Sequence, residues 1–166
     1  QAANTELQLT TQFKQLMAND QLKLSASVFQ NKVKDFIEQI VTNPVIAPPA
    51  FGGTGGTTTW VNVNRATLEG FELSANYLNG RFSSTLGYGQ VRGRDEVTGR
   101  DLTNIPGNTV TLDSRYVFVP KQVRGGVRIL SVDDQNRTNT SAPVGAYGGY
   151  TLVDLYVNYQ PQQLKN

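Results

Sequence analysis

The sequence of 166 residues contains no cysteine and no histidine. The absence of cysteine excludes disulfides, thiolate metal sites and cysteine nucleophiles, and the absence of histidine removes the usual general base and the commonest metal ligand. Charged residues make up 17% of the chain, which is below the roughly 25% usual for a soluble domain. No apolar run approaches the roughly 20 residues of a spanning helix, so a membrane role would have to come from strands. The net charge is only +2, with scattered Lys and Arg, so we expect no nucleic-acid partner.

Several segments alternate apolar and polar residues with a period of two. In the last of them, Val153 and Leu155 flank Asp154, and the segments 109–118 and 123–129 have the same pattern. Such alternation predicts a sheet with one apolar and one polar face. Because several of these segments reach about 10 residues, a lipid-facing apolar side is favoured.

The connections between the predicted strands alternate in length. We predict about seven strands, at 6–17, from residue 22, and at 60–78, 81–92, 108–119, 122–132 and 150–160. Short turns separate the strands at one end, and long polar loops at 43–59, 93–106 and 133–149 separate them at the other. Short and long connections alternate in this way in outer-membrane barrels, whereas a soluble sandwich has no reason to sort its loops. The sequence therefore predicts an all-β, antiparallel transmembrane β-barrel.

Two segments do not fit a simple alternation. Residues 31–41 carry apolar residues at helical spacing and are compatible with an amphipathic helix, although we favour a strand that extends beyond the membrane. In the segment 60–78, Ala66 and Leu68 lie on one phase of the alternation, and Phe71 and Leu73 lie on the other. A β-bulge at Gly70 would reconcile the two phases, because Gly tolerates unusual backbone angles.

The order and spacing of four motifs resemble the barrel of TonB-dependent outer-membrane receptors. The motifs are Asn62, Ala66, Gly70 and Glu72 with N-x-x-x-A-x-x-x-G-x-E spacing, LTNIP at 102–106, YTLVDL at 150–155, and VFQNKVKDFI at 28–37. The YTLVDL strand and the opening of the chain most resemble the haem and haemoglobin receptor branch, and siderophore receptors share much of the same pattern. The resemblance implies a bacterial outer-membrane receptor for a scarce nutrient, with haem or a ferric siderophore as the transported ligand.

The resemblance also implies an arrangement larger than the chain. The family barrel has about 22 strands around an N-terminal plug, so we expect residues 1–166 to be a fragment of its C-terminal half, without the plug domain and the last strands. The implied partners are outer-membrane lipid, the rest of the barrel and its plug, the TonB complex acting through that plug, and a haem-carrying protein. We expect no cofactor bound by this segment. The alternative is a small stand-alone barrel with a structural or adhesive role, and a soluble β domain is a further possibility.

The sequence offers few candidate site residues. Phe51, Trp60 and Tyr147 are aromatic residues of the predicted outer loops and are our candidates for ligand contact. We predict no catalytic residue, because Glu69 and Glu72 would point to opposite faces of a regular strand. We also predict no metal site, because the Asp and Glu residues of the loops lack the spacing of a calcium loop. A receptor rather than an enzyme is therefore expected.

Overall fold

The computed structural model describes residues 2–14, 20–46, 54–102, 105–137 and 146–161. They form one seven-stranded antiparallel sheet in which each strand pairs with the next along the chain. The strands are β1 Ala2–Lys14, β2 Asp20–Ile46, β3 Thr54–Asn79, β4 Phe82–Asp95, β5 Thr109–Val119, β6 Val123–Val132 and β7 Tyr150–Tyr159. Within these residues no helix has the length and apolar character needed to cross a membrane. The predicted all-β antiparallel fold is confirmed.

The register sorts the side chains by polarity. Directly paired residues share a side of the sheet, so each row of pairs can be followed across the strands. One side, here called the apolar face, carries Leu7, Leu9, Phe13, Leu24, Val28, Phe71, Leu73, Leu86, Val110, Leu112, Ile129, Val153, Leu155 and Val157. Leu155 remains 82% exposed on it. The opposite side, here called the polar face, carries Lys23, Asn76, Asp113, Arg128 and Asp154.

Two tight turns lie at one end of the sheet, here called the short-turn end. The β3–β4 hairpin closes at the Asn79–Phe82 pair with Gly80 at φ 50°, so its central residues are Gly80 and Arg81. A positive φ at the first central position is the requirement of a II′ turn, which Gly meets without a steric cost. The other turn, between β5 and β6, contains Pro120. Longer connections at the opposite, long-loop end join β4 to β5 and β6 to β7.

Strands β2 and β3 extend further than predicted. Residues 43–46 and 54–59 belong to strands, whereas we had placed them in a loop at 43–59. The reason lies in β-branched residues that pair across the hairpin, such as Ile40 with Thr59 and Val41 with Thr58, because such residues favour strands. The helix considered for 31–41 is wrong, and the preferred strand is confirmed. Asp35, with φ 58°, lies between the pairs Lys34–Arg65 and Phe36–Val63.

The predicted bulge at Gly70 is also wrong. Gly70 pairs in regular register with Phe29 on one side and with Val91 on the other. Its missing Cβ instead makes room for Phe29, whose Cζ would lie 2.7 Å from a methyl group added there. The change of phase has a different cause, because Ala66 and Leu68 lie on the polar face at the long-loop end, where part of a loop covers them.

That covering cluster is formed by Val63, Ala66, Leu102 and Ile105, with Leu68 partly buried against it. Leu102 is 2% exposed, and both Leu102 and Ile105 come from the β4–β5 connection. A methyl group added at Gly93 would meet side-chain carbons of both residues at 2.8–2.9 Å. The loop therefore folds back onto the sheet where small residues leave room, and we call this group the covered cluster.

Candidate functional site

A row of polar side chains crosses the middle of the polar face. Its paired members, here called the polar row, are Gln12, Lys23, Asn76, Thr85, Asp113, Arg128 and Asp154. Thr85 Oγ1 donates a hydrogen bond to Asn76 Oδ1 at 2.9 Å. Seven strands thus contribute hydrogen-bonding or charged groups at one level, and no loop of the described residues buries them. This surface is suited to contact with water or with a polar partner.

The strongest contacts in the polar row surround Asp113. Arg128 Nε donates to Asp113 Oδ2 at 2.7 Å, and the Tyr156 hydroxyl donates to Asp113 Oδ1 at 3.2 Å. The Arg128 guanidinium carbon also lies 4.9 Å from the centre of the Tyr156 ring, within cation–π range. Tyr156 reaches across β6 because Gly126 lacks a side chain; a methyl group there would lie 2.6 Å from the Tyr156 hydroxyl oxygen.

A tight turn begins the β4–β5 connection at the long-loop end. The Val97 amide donates to Asp95 Oδ1 at 2.8 Å, and Thr98 Oγ1 donates to Asp95 Oδ2 at 2.6 Å. Partial burial alone would raise the pKa of Asp95, but the hydrogen bonds from Thr98 and Val97 outweigh it and lower that pKa below its usual range. Gly99, at φ 71°, completes the turn and directs the chain toward the covered cluster.

The β4–β5 and β6–β7 connections at the long-loop end are joined by hydrogen bonds. Asn108 Nδ2 donates to Asp133 Oδ2 at 3.0 Å, and the Asp133 amide donates to the Asn108 carbonyl at 2.9 Å. Arg137 donates to the Pro106 carbonyl at 3.2 Å. Burial, together with the nearby positive charge of Arg92, lowers the pKa of Arg137. The β4–β5 and β6–β7 connections therefore form one linked surface.

The acidic run that begins the β6–β7 connection makes specific contacts with the rest of that connection. Gln135 is 1% exposed, and its backbone exchanges two 2.9 Å hydrogen bonds with Tyr147. Asp134 accepts a hydrogen bond from the Gly149 amide. Among the residues that the structure describes, no group of three or more acidic side chains is placed to hold a metal ion.

The candidate ligand-contact residues occupy different kinds of position. Trp60 lies within β3, paired with Gln39, rather than in a loop, and is 67% exposed. Tyr147 lies in the β6–β7 connection, bridged to Gln135, and is 55% exposed. Phe51 lies outside the described residues. Trp60 and Tyr147 are both at the long-loop end, and their role in ligand contact remains a prediction.

The two glutamates of β3 do not form a carboxylate pair. Glu69 pairs with Arg92 on the side of the apolar face, and Glu72 pairs with Gly89 on the polar face. They point away from each other, as a regular strand requires. Sequence reasoning did not find that Leu102 and Ile105 cover the polar face or that Tyr156 joins Asp113. The small residues opposite them, Gly93 and Gly126, were the signal in the sequence.

The chain is similar in sequence to a family of receptors and to proteins whose names refer to haem or hemin. The chain matches the family described as "TonB dependent receptor-like, beta-barrel" over residues 2–166. It is 31% identical over 162 residues to Heme/hemopexin utilization protein C of Haemophilus influenzae (strain 86-028NP), covering 96% of this chain and 22% of that protein. It is 31% identical over 151 residues to the Hemin receptor of Yersinia pestis, covering 89% of this chain and 20% of that protein. The chain thus spans about a fifth to a quarter of the curated relatives that it matches.

Solved structures have the same fold. The copper transporter OprC aligns with a TM-score of 0.66 at 22% identity, covering 98% of this chain and 23% of that one. The FrpB iron transporter from Neisseria meningitidis aligns with a TM-score of 0.63 at 20% identity, covering 96% of this chain and 24% of that one. The family match covers nearly the whole chain, and the apolar and polar faces agree with it. The chain belongs to the TonB-dependent receptor-like β-barrel family.

Proposed function

We propose that this chain is a wall segment of an outer-membrane receptor that takes up haem or another iron source with energy from TonB. The observation that carries the proposal is the sorting of side chains across the whole sheet. Across the middle of the sheet, long apolar side chains occupy one face and remain exposed, and the polar row lies on the other face. That pattern suits a wall between lipid and an aqueous lumen. The haem-related names of the relatives suggest the ligand.

Each face would then have a separate role. The apolar face would contact outer-membrane lipid, and each fully buried aliphatic side chain there would contribute about 1.5–3 kcal/mol. The polar face would meet the plug domain and water inside the rest of the barrel. Arg128 and Asp113 neutralise each other on that face, which lowers the cost of placing charges near a low-dielectric wall. The linked outer connections would contribute to capture of the ligand.

The plug and the TonB complex supply the transport step in this proposal. This segment would form part of the C-terminal half of a larger barrel, and it would bind no resident cofactor. Transport of this kind breaks no bond in the ligand, so we propose a receptor and not an enzyme. A haem-carrying protein is the extracellular partner in this proposal.

The proposal can be tested by growth of the source bacterium under iron limitation. Deletion of the gene should abolish growth on haemin as the sole iron source, while growth on ferrous iron should be unchanged. Complementation with the intact gene should restore growth on haemin. Loss of growth on a ferric siderophore instead of haemin would make this a siderophore receptor. Unchanged growth on both would contradict the proposal and favour a structural barrel.

The aromatic residues of the long-loop end can be tested in the same receptor. We expect Trp60→Ala or Tyr147→Ala to weaken haemin binding to the intact protein, with Phe51→Ala as a third variant. The control is Tyr159→Ala, because Tyr159 is at least as exposed as Trp60 and Tyr147 but lies at the short-turn end. If the control weakens binding as much as the three variants do, the effect is not specific to ligand contact.

A further inference from the structure

Basic side chains gather on one part of the apolar face. Following the paired rows beyond Phe71 toward the long-loop end, the same side of the sheet carries Lys32, Lys34, Arg65, Arg92 and Arg94. The carboxylates of Glu69, Glu96 and Asp101 lie among them. Glu96 accepts a hydrogen bond from Thr67, and Asp101 bridges to Arg94 through the backbone. Five cations thus face three carboxylates, and the surface carries an excess of positive charge.

The opposite end of the same face differs in composition. Near the short turns, the apolar face carries the aromatic residues Tyr77, Phe82, Tyr116, Phe118 and Tyr159. Among the described strand positions of the apolar face, Lys and Arg occur only at the long-loop end. The two ends of a lipid-facing wall therefore meet different surroundings, and only one of them is suited to anions.

A groove runs from Arg92, at the edge of the basic residues, toward the apolar residues of the same face. A concavity of about 460 Å³ is lined by Leu7, Val28 and Phe71 at one side and by Gln30, Glu69 and Arg92 at the other. In the rows directly below it, a second concavity of about 360 Å³ is lined by Leu9, Leu24, Ala26, Leu73, Ala75 and Leu86. Small side chains at Ala26 and Ala75 form the depression. The two concavities follow one another down the same face, from one that contains charged residues to one that contains none and is mainly apolar.

We propose that this groove binds a phosphorylated lipid of the outer leaflet, an inference that rests on the membrane-wall function proposed above. Arg92, Arg94 and Lys32 would hold the phosphate, because guanidinium groups pair with phosphate oxygens in a fixed fork. An acyl chain would lie along Val28 and Phe71 and end between Ala26 and Ala75. A soluble anion would leave the lower groove empty, and an apolar ligand would leave the cations unpaired. A lipid with an anionic headgroup satisfies both.

The charge next to Arg92 strengthens this assignment. One Arg92 NH group donates to the Val91 carbonyl at 3.1 Å. Arg137 lies near enough for the two positive charges to interact. Bringing an anion to this site relieves their repulsion. Glu69, which pairs with Arg92 across the strands, is a competing carboxylate on the same side.

The test uses the intact receptor, purified in detergent, stripped of lipid and titrated with dioleoyl phosphatidic acid while binding is followed by native mass spectrometry. The triple variant Lys32→Gln, Arg92→Gln, Arg94→Gln should lower the affinity about a hundredfold, at about tenfold or less per cation. The matched control is Lys14→Gln, Lys23→Gln, Arg115→Gln, which removes three cations from the polar face. The control should bind as the wild type does.

Two further measurements make the outcomes distinct. Ala26→Phe with Ala75→Phe fills the lower groove and should lower the affinity for dioleoyl phosphatidic acid several-fold while the cations remain. Dioleoyl phosphatidylcholine and inorganic phosphate should both bind weakly to the wild type. Equal binding by wild type and triple variant, or equal loss in the polar-face control, would overturn the lipid site. If the intact protein instead stays dispersed and folded without detergent, the membrane-wall function itself fails.

Discussion

The polar face is built differently at its middle and at its long-loop end. In the middle, Asp113 and Arg128 form an open, hydrogen-bonded pair in the polar row. Toward the long-loop end, the same side of the sheet carries Ala66 and Leu68. Leu102 of the β4–β5 connection packs into the covered cluster there. Where the pairing is regular, the strand alternation fixes which side of the sheet a residue occupies. Whether that side is exposed to water depends on whether a loop packs over it.

Glycine has a different use in each of these two regions. Gly93 gives space to the side chains of Leu102 and Ile105, so the loop can approach the strand. Gly126 gives space to the ring of Tyr156, so a neighbouring strand can reach Asp113. In the first region the gain is apolar burial, and in the second it is a hydrogen bond. Substitutions in the two regions should therefore differ in size and in what they expose.

The largest effect should follow from removing the apolar cover. Leu102→Ala should destabilise the covered cluster by about 2–4 kcal/mol, because a fully buried leucine is truncated and leaves a cavity. The Leu102 amide donates to the Gly93 carbonyl at 3.0 Å, so hydrogen exchange at this amide in the intact receptor reports the opening. Val97→Ala, in the same connection but exposed, is the control. Equal exchange in the two variants would show that the cover contributes nothing.

Overpacking the polar row should have a smaller effect. Gly126→Val should cost about 1–3 kcal/mol, because the added methyl groups meet the Tyr156 ring and the Ser114 carbonyl oxygen. Gly89→Ala is the matched control, since Gly89 lies on the same face and a methyl group there meets nothing within 4 Å. Urea unfolding of the receptor in liposomes gives the free energies. If the control is as damaging as Gly126→Val, the crowding around Tyr156 is not the cause.

The sequence predicted the polar row well and the covered cluster poorly. Asp113, Arg128 and Asp154 alternate with apolar neighbours. The two-residue alternation alone therefore predicts that they lie on the polar side of the sheet. The phase change between Leu68 and Phe71 had two possible causes, a bulge in the strand or a cover over it, and alternation cannot distinguish them. Only the packing of Leu102, distant in sequence, decides it. Likewise, the pairing of Ile40 with Thr59 depends on a partner strand that periodicity does not reveal.

Acid should destabilise the turn at Asp95, which leads into the covered cluster. The same turn should be unaffected by acid in a variant that cannot titrate at this position. The pKa of Asp95 is lowered in the folded protein, so its contribution to stability is present above about pH 4, where unfolded aspartate is ionised, and is lost as the pH falls through the folded pKa. Exchange at the Val97 amide, corrected for its intrinsic pH dependence, should therefore increase below pH 4. Asp95→Asn keeps the acceptor oxygen without the titration, and its exchange should stay flat. A matching increase in Asp95→Asn would assign the change to another group.

The smallest effect should come from the short-turn end, which neither the cover nor the polar row touches. Lys121 has φ 62° in a turn where the Gln122 amide donates to the Val119 carbonyl at 3.0 Å and Pro120 is the first central residue. A type II turn requires a positive φ at this position, where any side chain is strained. Lys121→Gly should therefore stabilise the receptor by at most about 1 kcal/mol, measured by urea unfolding. Gln122→Gly, one position later, should destabilise it instead, because it adds backbone freedom without relieving strain. A loss of stability in Lys121→Gly would mean that the lysine side chain contributes more than its backbone strain costs.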